Sequence, residues 1–290
     1  MDVGLIVLLF IGIGVGGLIA YNKRTFKIPV YVRTPDREFP YQWREILEKR
    51  IEFYQRLDAA GRKKFEDKVH VFLLNVRVLG MQTKVSHEDK ILVAASAVIP
   101  IFGFDNWHYF NLSEVHLHPS KFKIPGQKRY ARGLIGWGEM DGIMKLSKKA
   151  LHEGFQDQND QRNVAIHEFI HVIDKLDGEV DGVLETLMNE IDIMPWMQLM
   201  QHEMKEIESG NSDIRKYGSA NHAEFLAVVG EYFFESPEKM KIEHPALFNA
   251  LDSMFNPKII PKADRFKYTK KYDPCPCGSG RKFSRCCMGN

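Results

Sequence analysis

The body of this chain lacks cysteine, because all four cysteines of the 290 residues lie between positions 275 and 287. A fold held together by disulfides is therefore excluded for the rest of the chain. A strong charge of one sign is also missing, since 40 Lys and Arg against 38 Asp and Glu leave a net charge of +2. Nothing in these totals indicates a nucleic acid as partner. What is present, 44% hydrophobic residues, is typical of a globular protein with a sizeable core.

Charge is absent altogether from residues 3–21, "VGLIVLLFIGIGVGGLIAY". A helix of that length covers roughly 28 Å, close to the ~30 Å hydrocarbon core of a bilayer. A cleaved signal peptide is the competing interpretation, but Asp2 stands where such peptides carry Lys or Arg, and the apolar run is long for one. Basic residues follow between positions 23 and 27, which predicts a cytoplasmic location for the remainder. We therefore predict a single-pass membrane anchor at residues 1–22.

Periodicity in the body predicts an α+β fold with many helices. A proline- and charge-bearing linker is expected at residues 23–42, and helical spacing follows, with a predicted break near Gly61. Helical spacing returns at 183–209 and at 222–235, while "EVHLHP" and "GIMKLS" alternate like short strands. Many helices and few strands indicate the α+β class.

The stretch "NVAIHEFIHVID", residues 163–174, places two histidines four positions apart. On a helix, His167 and His171 would share a face and direct two imidazoles at one zinc ion. Glu168 would then stand beside the metal and accept a proton from a zinc-activated water. The alternative is a core helix with two hydrogen-bonded histidines. Because the helix is apolar almost all round, three buried polar groups need partners, and zinc provides one for all three.

Two glutamates are candidates for the third zinc ligand. Glu190 follows His171 by 18 intervening residues, a spacing that gluzincin aminopeptidases use. Glu224 begins the apolar stretch "EFLAVVGEYFF", on which Glu231 shares its face. Each has a structural alternative: Glu224 in a capping box with Asn221, and Glu190 on an exposed acidic helix. Spacing alone leaves both candidates open.

The stretches "FYQRL", "NVAIHEFIHVIDKLDG" and "AEFLAVVGEYFF" resemble the Mlc titration factor A family of zinc peptidases over roughly residues 40–260. The resemblance implies a mostly helical, zincin-like metallopeptidase domain with a small sheet, which we place at residues 43–265. It also implies that Glu224 is the third zinc ligand and that Tyr217, seven residues earlier, faces the metal as an oxyanion donor. Glu231 would support a ligand histidine from behind.

The cysteine tail "PCPCGSGRKFSRCC" resembles the SEC-C motif, a small zinc module, which we place at residues 273–290. Four thiolates would close the coordination sphere of a structural Zn²⁺, held by Cys275, Cys277, Cys286 and Cys287. Disulfides or unpaired thiols are the alternatives, but a cytoplasmic location disfavours oxidation. So short a segment cannot build a core, and metal binding would supply its folding free energy.

These observations predict a membrane-anchored, gluzincin-type zinc peptidase that holds one catalytic and one structural Zn²⁺. Its partners would be a peptide or protein substrate, the membrane through residues 3–21, and a protein bound by the C-terminal module. By analogy with zincins, "GIMKLS" would be an edge strand that aligns the substrate. The alternative is a non-catalytic regulatory protein that sequesters a transcription regulator or a translocation-related partner.

Overall fold

A computed structural model describes residues 32–105, 107–124 and 126–256, apart from the side chain of Glu190. Both the predicted anchor and the cysteine tail lie outside these residues. Within the described chain, no helix has the length and apolar character needed to cross a bilayer.

The described residues are mostly helical and include a small sheet, consistent with the predicted α+β class. The helices are α1 (Tyr41–Arg50), α2 (Glu52–Gln55), α3 (Ala59–Asn75), α4 (His87–Ile101), α5 (Lys148–Glu153), α6 (Val164–Asp174), α7 (Glu190–Ser209), α8 (His222–Glu235), α9 (Pro237–Glu243) and α10 (Pro245–Phe255). The strands are β1 (Arg77–Gly80), β2 (Glu114–His118), β3 (Phe122–Lys123), β4 (Tyr130–Ala131), β5 (Gly133–Ile135) and β6 (Ile143–Ser147). Two single 3₁₀ turns lie at Gly138–Met140 and Lys216–Ser219.

Four strands form the main sheet in the order β1-β2-β6-β5. The β1–β2 and β2–β6 pairs are parallel, whereas β5 runs antiparallel to β6. The prediction that "GIMKLS" is an edge strand is therefore wrong, because β6 pairs on both sides. The edge strand next to it is β5, a three-residue segment that is too short to produce an alternating pattern in the sequence.

The helix break predicted near Gly61 exists but lies a few residues earlier, between Gln55 and Ala59. The Asp58 side chain caps α3 by accepting a hydrogen bond from the Gly61 amide at 2.7 Å. Gly61 consequently lies in the first turn of α3, where the cap compensates for its low helix propensity. The same stretch ends in β1, which the sequence pattern did not indicate.

Helix α4 is the central helix of the core, since every residue from Ile91 to Ile101 is buried. It packs against α1, α3, α5 and α6. Helix α6 is buried from Ala165 to Asp174, as its apolar sequence predicts. Its other main neighbours are α8 and the edge strand β5. The polar residues of α6 therefore lie next to these two elements.

Helices α6 and α8 approach each other closely at Gly230. A Cβ atom at this position would lie 2.3 Å from Cδ1 of Ile170, well inside contact distance. Ile170 is fully buried on α6. The missing side chain at Gly230 therefore allows the two helices to pack at this separation.

Candidate metal centre

The first turn of α6 is held in place by α8. Asn163 caps the helix by accepting a hydrogen bond from the Ile166 amide at 3.2 Å. The backbone N–H of Asn163 donates to Glu231 at 2.6 Å, and the backbone N–H of Arg162 donates to Glu235 at 2.9 Å. Because both carboxylates belong to α8, the entry into α6 is fixed relative to that helix.

Three side chains converge between α6 and α8: His167, His171 and Glu224. The two histidine Nε2 atoms are 3.1 Å apart, and Glu224 Oε2 lies 3.0 Å from Nε2 of His167 and 3.5 Å from Nε2 of His171. Ligands of a tetrahedral zinc at about 2.1 Å lie about 3.4 Å from one another, so this triangle fits the ion. Two imidazoles and one carboxylate are also a donor set that zinc accepts.

The electrostatic surroundings of His167 favour a positive charge at this point. Burial acts to lower the pKa of His167, but its hydrogen bonds with Glu224 and Glu231 outweigh this effect and raise the pKa to about 10. Burial lowers the pKa of His171, which favours the neutral ring that a metal requires. Within the described chain, Nδ1 of His171 is buried and has no hydrogen-bond partner. The charges of Glu224 and Glu231 therefore favour a positive charge beside the two rings.

Glu231 fixes the orientation of His167. Its Oε1 atom lies 2.8 Å from Nδ1 of His167 and also accepts a hydrogen bond from Arg215, while Oε2 accepts from the Asn163 amide. The Glu231 carboxylate accepts at Nδ1, so His167 keeps a proton there and directs Nε2 toward Glu224 and His171.

Glu168 occupies the position beside the converging ligands. It is 8% exposed, and its pKa is raised to about 7 by burial and by the charges of Glu224 and Glu231, with His167 acting in the opposite direction. Strand β5 presses against it, since a Cβ at Gly133 would lie 2.3 Å from Glu168 Oε1. A carboxyl group with this pKa is suited to accept and return a proton near neutral pH.

Tyr217 lies in the 3₁₀ turn before α8 and covers the site from outside. Its ring stacks against His167, with centroids 6.1 Å apart, and is half exposed. Burial and the charge of Glu224 raise the pKa of Tyr217, so its phenol keeps its proton and can donate a hydrogen bond.

The structure describes the side chain of one candidate third ligand, Glu224, and not that of the other, Glu190. Asn221 caps α8 by accepting a hydrogen bond from the Glu224 amide at 2.9 Å. The predicted cap thus exists, but the Glu224 side chain turns toward the histidines. Glu190 is the first residue of α7, and its side chain lies outside the described part of the chain.

The model of the glucose-regulated metallo-peptidase M90 family matches residues 25–256. The chain belongs to this family. The SEC-C motif matches residues 273–289 of the same M90 chain, in agreement with the predicted cysteine module.

Relatives of this M90 chain cover most of its length. It is 27% identical to the uncharacterized protein slr2042 of Synechocystis sp. over 231 residues, which are 74% of this chain and 83% of the relative. It is 22% identical to Mlc titration factor A of Yersinia pestis (strain Pestoides F) over 264 residues, which are 83% of this chain and 94% of the relative. The same values hold for Mlc titration factor A of Yersinia pseudotuberculosis serotype I (strain IP32953). The resemblance to the Mlc titration factor A family is therefore confirmed.

Three residues of the M90 chain contribute to the site although the sequence analysis did not single them out. Gly133 allows β5 to approach Glu168, Arg215 holds Glu231, and Asn163 connects the cap of α6 to α8. Asn163 alone had a recognisable signal, since Asn before an apolar helix is a preferred N-cap.

Proposed function

We propose that this metallopeptidase-family chain is a zinc peptidase that cleaves peptide bonds at the site between α6 and α8. The observation that supports this most strongly is the convergence of His167 Nε2, His171 Nε2 and Glu224 Oε2 next to Glu168. These three residues would hold Zn²⁺ and leave one position open, as in catalytic zinc sites. When bound, zinc would polarise the peptide carbonyl and lower the pKa of the attacking water. With two histidines and a distant glutamate, the enzyme would be of the gluzincin type.

In this mechanism Glu168 takes a proton from the attacking water and later returns it to the leaving amine. Its raised pKa suits both steps, and the contact with β5 holds the carboxylate in place. Tyr217 keeps its proton and donates a hydrogen bond from its phenol to the developing oxyanion of the substrate. Glu231 keeps the proton of His167 on Nδ1, so that Nε2 remains available as a ligand.

Strand β5 offers a template for the substrate backbone. Arg132 and Gly136 bond to β6, since the Ser147 amide donates to Arg132 and the Gly136 amide donates to Ile143. By the alternation of an antiparallel ladder, the backbone groups of Gly133 and Ile135 point to the open edge of the sheet. An extended peptide paired with this edge would pass Glu168, which gives β5 the role first predicted for "GIMKLS". On this basis we assign a zincin-like fold to residues 43–265.

We further propose that the chain is anchored at residues 1–22, continues through a linker at 23–42, and carries its catalytic domain on the cytoplasmic side. The support is the uncharged apolar run followed by basic residues. Cell fractionation should place the full chain in membranes after alkaline carbonate washing. A catalytic domain that external protease digests in intact cells would contradict this orientation.

The C-terminal module would hold the second, structural Zn²⁺ on Cys275, Cys277, Cys286 and Cys287. The SEC-C match and the absence of other cysteines in the chain support this proposal. A closed thiolate site has no open position, so its role would be to fold the module and to offer a surface to a protein partner.

Glu168→Gln tests the catalytic proposal, because it removes the base and leaves the three metal ligands. Peptide cleavage should fall to background while zinc remains bound. Tyr217→Phe should also retain zinc and slow turnover on the order of 10²-fold through loss of an oxyanion donor. Zinc-bound wild-type protein that cleaves no member of a diverse peptide library would refute the proposal.

A second candidate function rests on the name of the Yersinia relatives, which describes titration of Mlc. In this view the chain sequesters a transcription regulator or a translocation-related partner without catalysis. The Glu168→Gln protein separates the two functions. If it retains the full biological effect while lacking cleavage, binding is the function; if the effect disappears with cleavage, catalysis is.

A further inference from the structure

A cavity of about 620 Å³ adjoins the metal centre on the side of Tyr217 and Glu231, which both line it. Its walls also include the start of α6 and the segment that leads into β5, through Val164 and Arg132. A substrate side chain that leaves the β5 edge near Glu168 therefore has this cavity within reach. Its lining would then select among substrates.

Three exposed cations line this cavity, and each directly precedes a residue or element of the site. Arg132 immediately precedes β5, Arg162 immediately precedes the cap of α6, and Lys216 immediately precedes Tyr217. Within the described chain, the side chains of Arg162 and Lys216 make no ion pair, and Arg132 approaches Glu153 only at 3.8 Å. These charges are therefore available to a ligand.

A fourth cation, Arg215, also lines the cavity. Its guanidinium bonds to Glu231, but its Nε–H is buried and has no acceptor among the described residues. A quarter of the Arg215 side chain is exposed and the residue lines the cavity, so its positive charge acts on a ligand there. The guanidinium fork of Arg suits a carboxylate in particular.

Acidic residues of the cavity offset these charges only in part. Glu231 is engaged by Arg215 and His167, and Asp160 accepts a hydrogen bond from the Arg162 amide at 2.9 Å. Three carboxylates, Glu153, Asp160 and Glu231, therefore stand against four cations in the lining, and Glu153 is exposed. The approach to β5 adds further positive charge, because residues 119–131 contain four Lys and Arg and no Asp or Glu.

We infer that this cavity binds a carboxylate of the substrate next to the cleaved bond, so that the enzyme prefers acidic peptides. This inference rests on the proposed peptidase function and specifies its substrate class. The carboxylate has two sources, an Asp or Glu side chain or the free C-terminus of a peptide. Cations around a partly enclosed site discriminate by attracting one charge and rejecting the other.

The test uses the full-length, zinc-loaded protein and fluorogenic peptides that differ at one residue, Glu, Gln or Lys, on either side of the cleaved bond. Each peptide is made with a free and with an amidated C-terminus. We expect kcat/KM for the Glu peptide to exceed that for the Gln peptide by about fivefold or more, with the Lys peptide last. If the free C-terminus is the ligand, amidation of the peptide lowers kcat/KM instead, whichever of the three residues the peptide carries.

Variants of the cavity cations show which residues cause the preference for Glu peptides. Arg162→Gln and Lys216→Gln should each reduce the Glu-to-Gln ratio about threefold, mainly through KM, and Lys216→Glu should invert the preference for Glu over Lys. Lys63→Gln is the matched control, since Lys63 lies on α3, pairs with Asp67 and lines no part of the cavity. This control should keep the wild-type ratio.

The outcomes separate this inference from the function on which it rests. Cleavage that disappears in Glu168→Gln but is equal for Glu, Gln and Lys peptides and insensitive to amidation overturns the inference and leaves the peptidase function intact. A preference that persists in Arg162→Gln and Lys216→Gln also overturns it. Absence of cleavage for every peptide overturns both.

Discussion

Replacing Glu231 by Gln should weaken zinc binding by 10- to 100-fold, about 1.4 to 2.7 kcal/mol, although Glu231 is not one of the three proposed ligands. The carboxylate accepts from three donors: Nδ1 of His167, the Arg215 guanidinium and the Asn163 amide. A carboxylate can satisfy all three, whereas an amide has only one oxygen.

Each orientation of the amide has a defined cost. If its oxygen faces His167 and Arg215, its NH₂ group opposes the Asn163 amide, and two donors meet where a hydrogen bond of 2.6 Å stood. If the amide flips, NH₂ faces Nδ1, the proton of His167 moves to Nε2, and that nitrogen can no longer bind a metal. A lost hydrogen bond in a charged, buried network costs about 1.5 to 3 kcal/mol, in line with the expected loss of affinity.

The assay is competition for zinc with a chromogenic chelator, with folding checked by circular dichroism. The thiolate module serves as an internal reference, because its affinity should not change. Glu235→Gln is the matched control on the same helix, since Glu235 contacts the Arg162 amide rather than a histidine. Zinc affinity of a folded Glu231→Gln protein within about twofold of wild type would refute the proposed role of Glu231.

Three further predictions follow from the same geometry. Glu224→Ala should abolish zinc binding at the peptidase site while Glu190→Ala changes it little, measured by metal titration; the reverse pattern would reassign the third ligand. Burial and the charge of Glu231 raise the pKa of Glu235 to about 8. The folded protein then holds a proton that the unfolded chain releases between about pH 4.5 and 8, so the wild type should lose stability relative to Glu235→Gln by at most about 1.4 kcal/mol per pH unit across that window. Urea unfolding at several pH values checks this, and a difference independent of pH would contradict it. Deleting residues 273–290 should lower the zinc content from two ions to one and leave peptidase activity measurable, whereas loss of both ions would show that the two sites are not independent.

Local patterns in the sequence were sufficient to predict α6, α8, β2 and β6. Helix α6 follows from an apolar run behind an Asn cap, and the histidine spacing within it from the helical repeat. Each of these features is determined by residues a few positions apart. For this reason the pairing of His167 with His171 needed no knowledge of the fold.

Features that depend on distant contacts could not be predicted in the same way. The interior place of β6 depends on its pairing with both β2 and β5, which lie in separate parts of the chain. The approach of Gly133 to Glu168 likewise depends on how β5 packs on α6. The choice of Glu224 over Glu190 rested on family resemblance, since spacing alone permitted either.

The lack of a side chain at Gly230 influences the geometry of the metal centre from a distance. The helix separation that it permits also sets the distance from the histidines of α6 to Glu224, which precedes Gly230 on α8 by six residues. A single methyl group at Gly230 would have to displace Ile170 or widen the helix crossing, and a shift of a few tenths of an ångström would be felt by all three ligand atoms at once. We expect Gly230→Ala to weaken zinc binding without altering any polar group of the site, and unchanged zinc affinity in a titration would show that Ile170 absorbs the methyl group. A loss of zinc affinity in this variant would show that apolar packing alone, with every ligand unchanged, adjusts metal affinity.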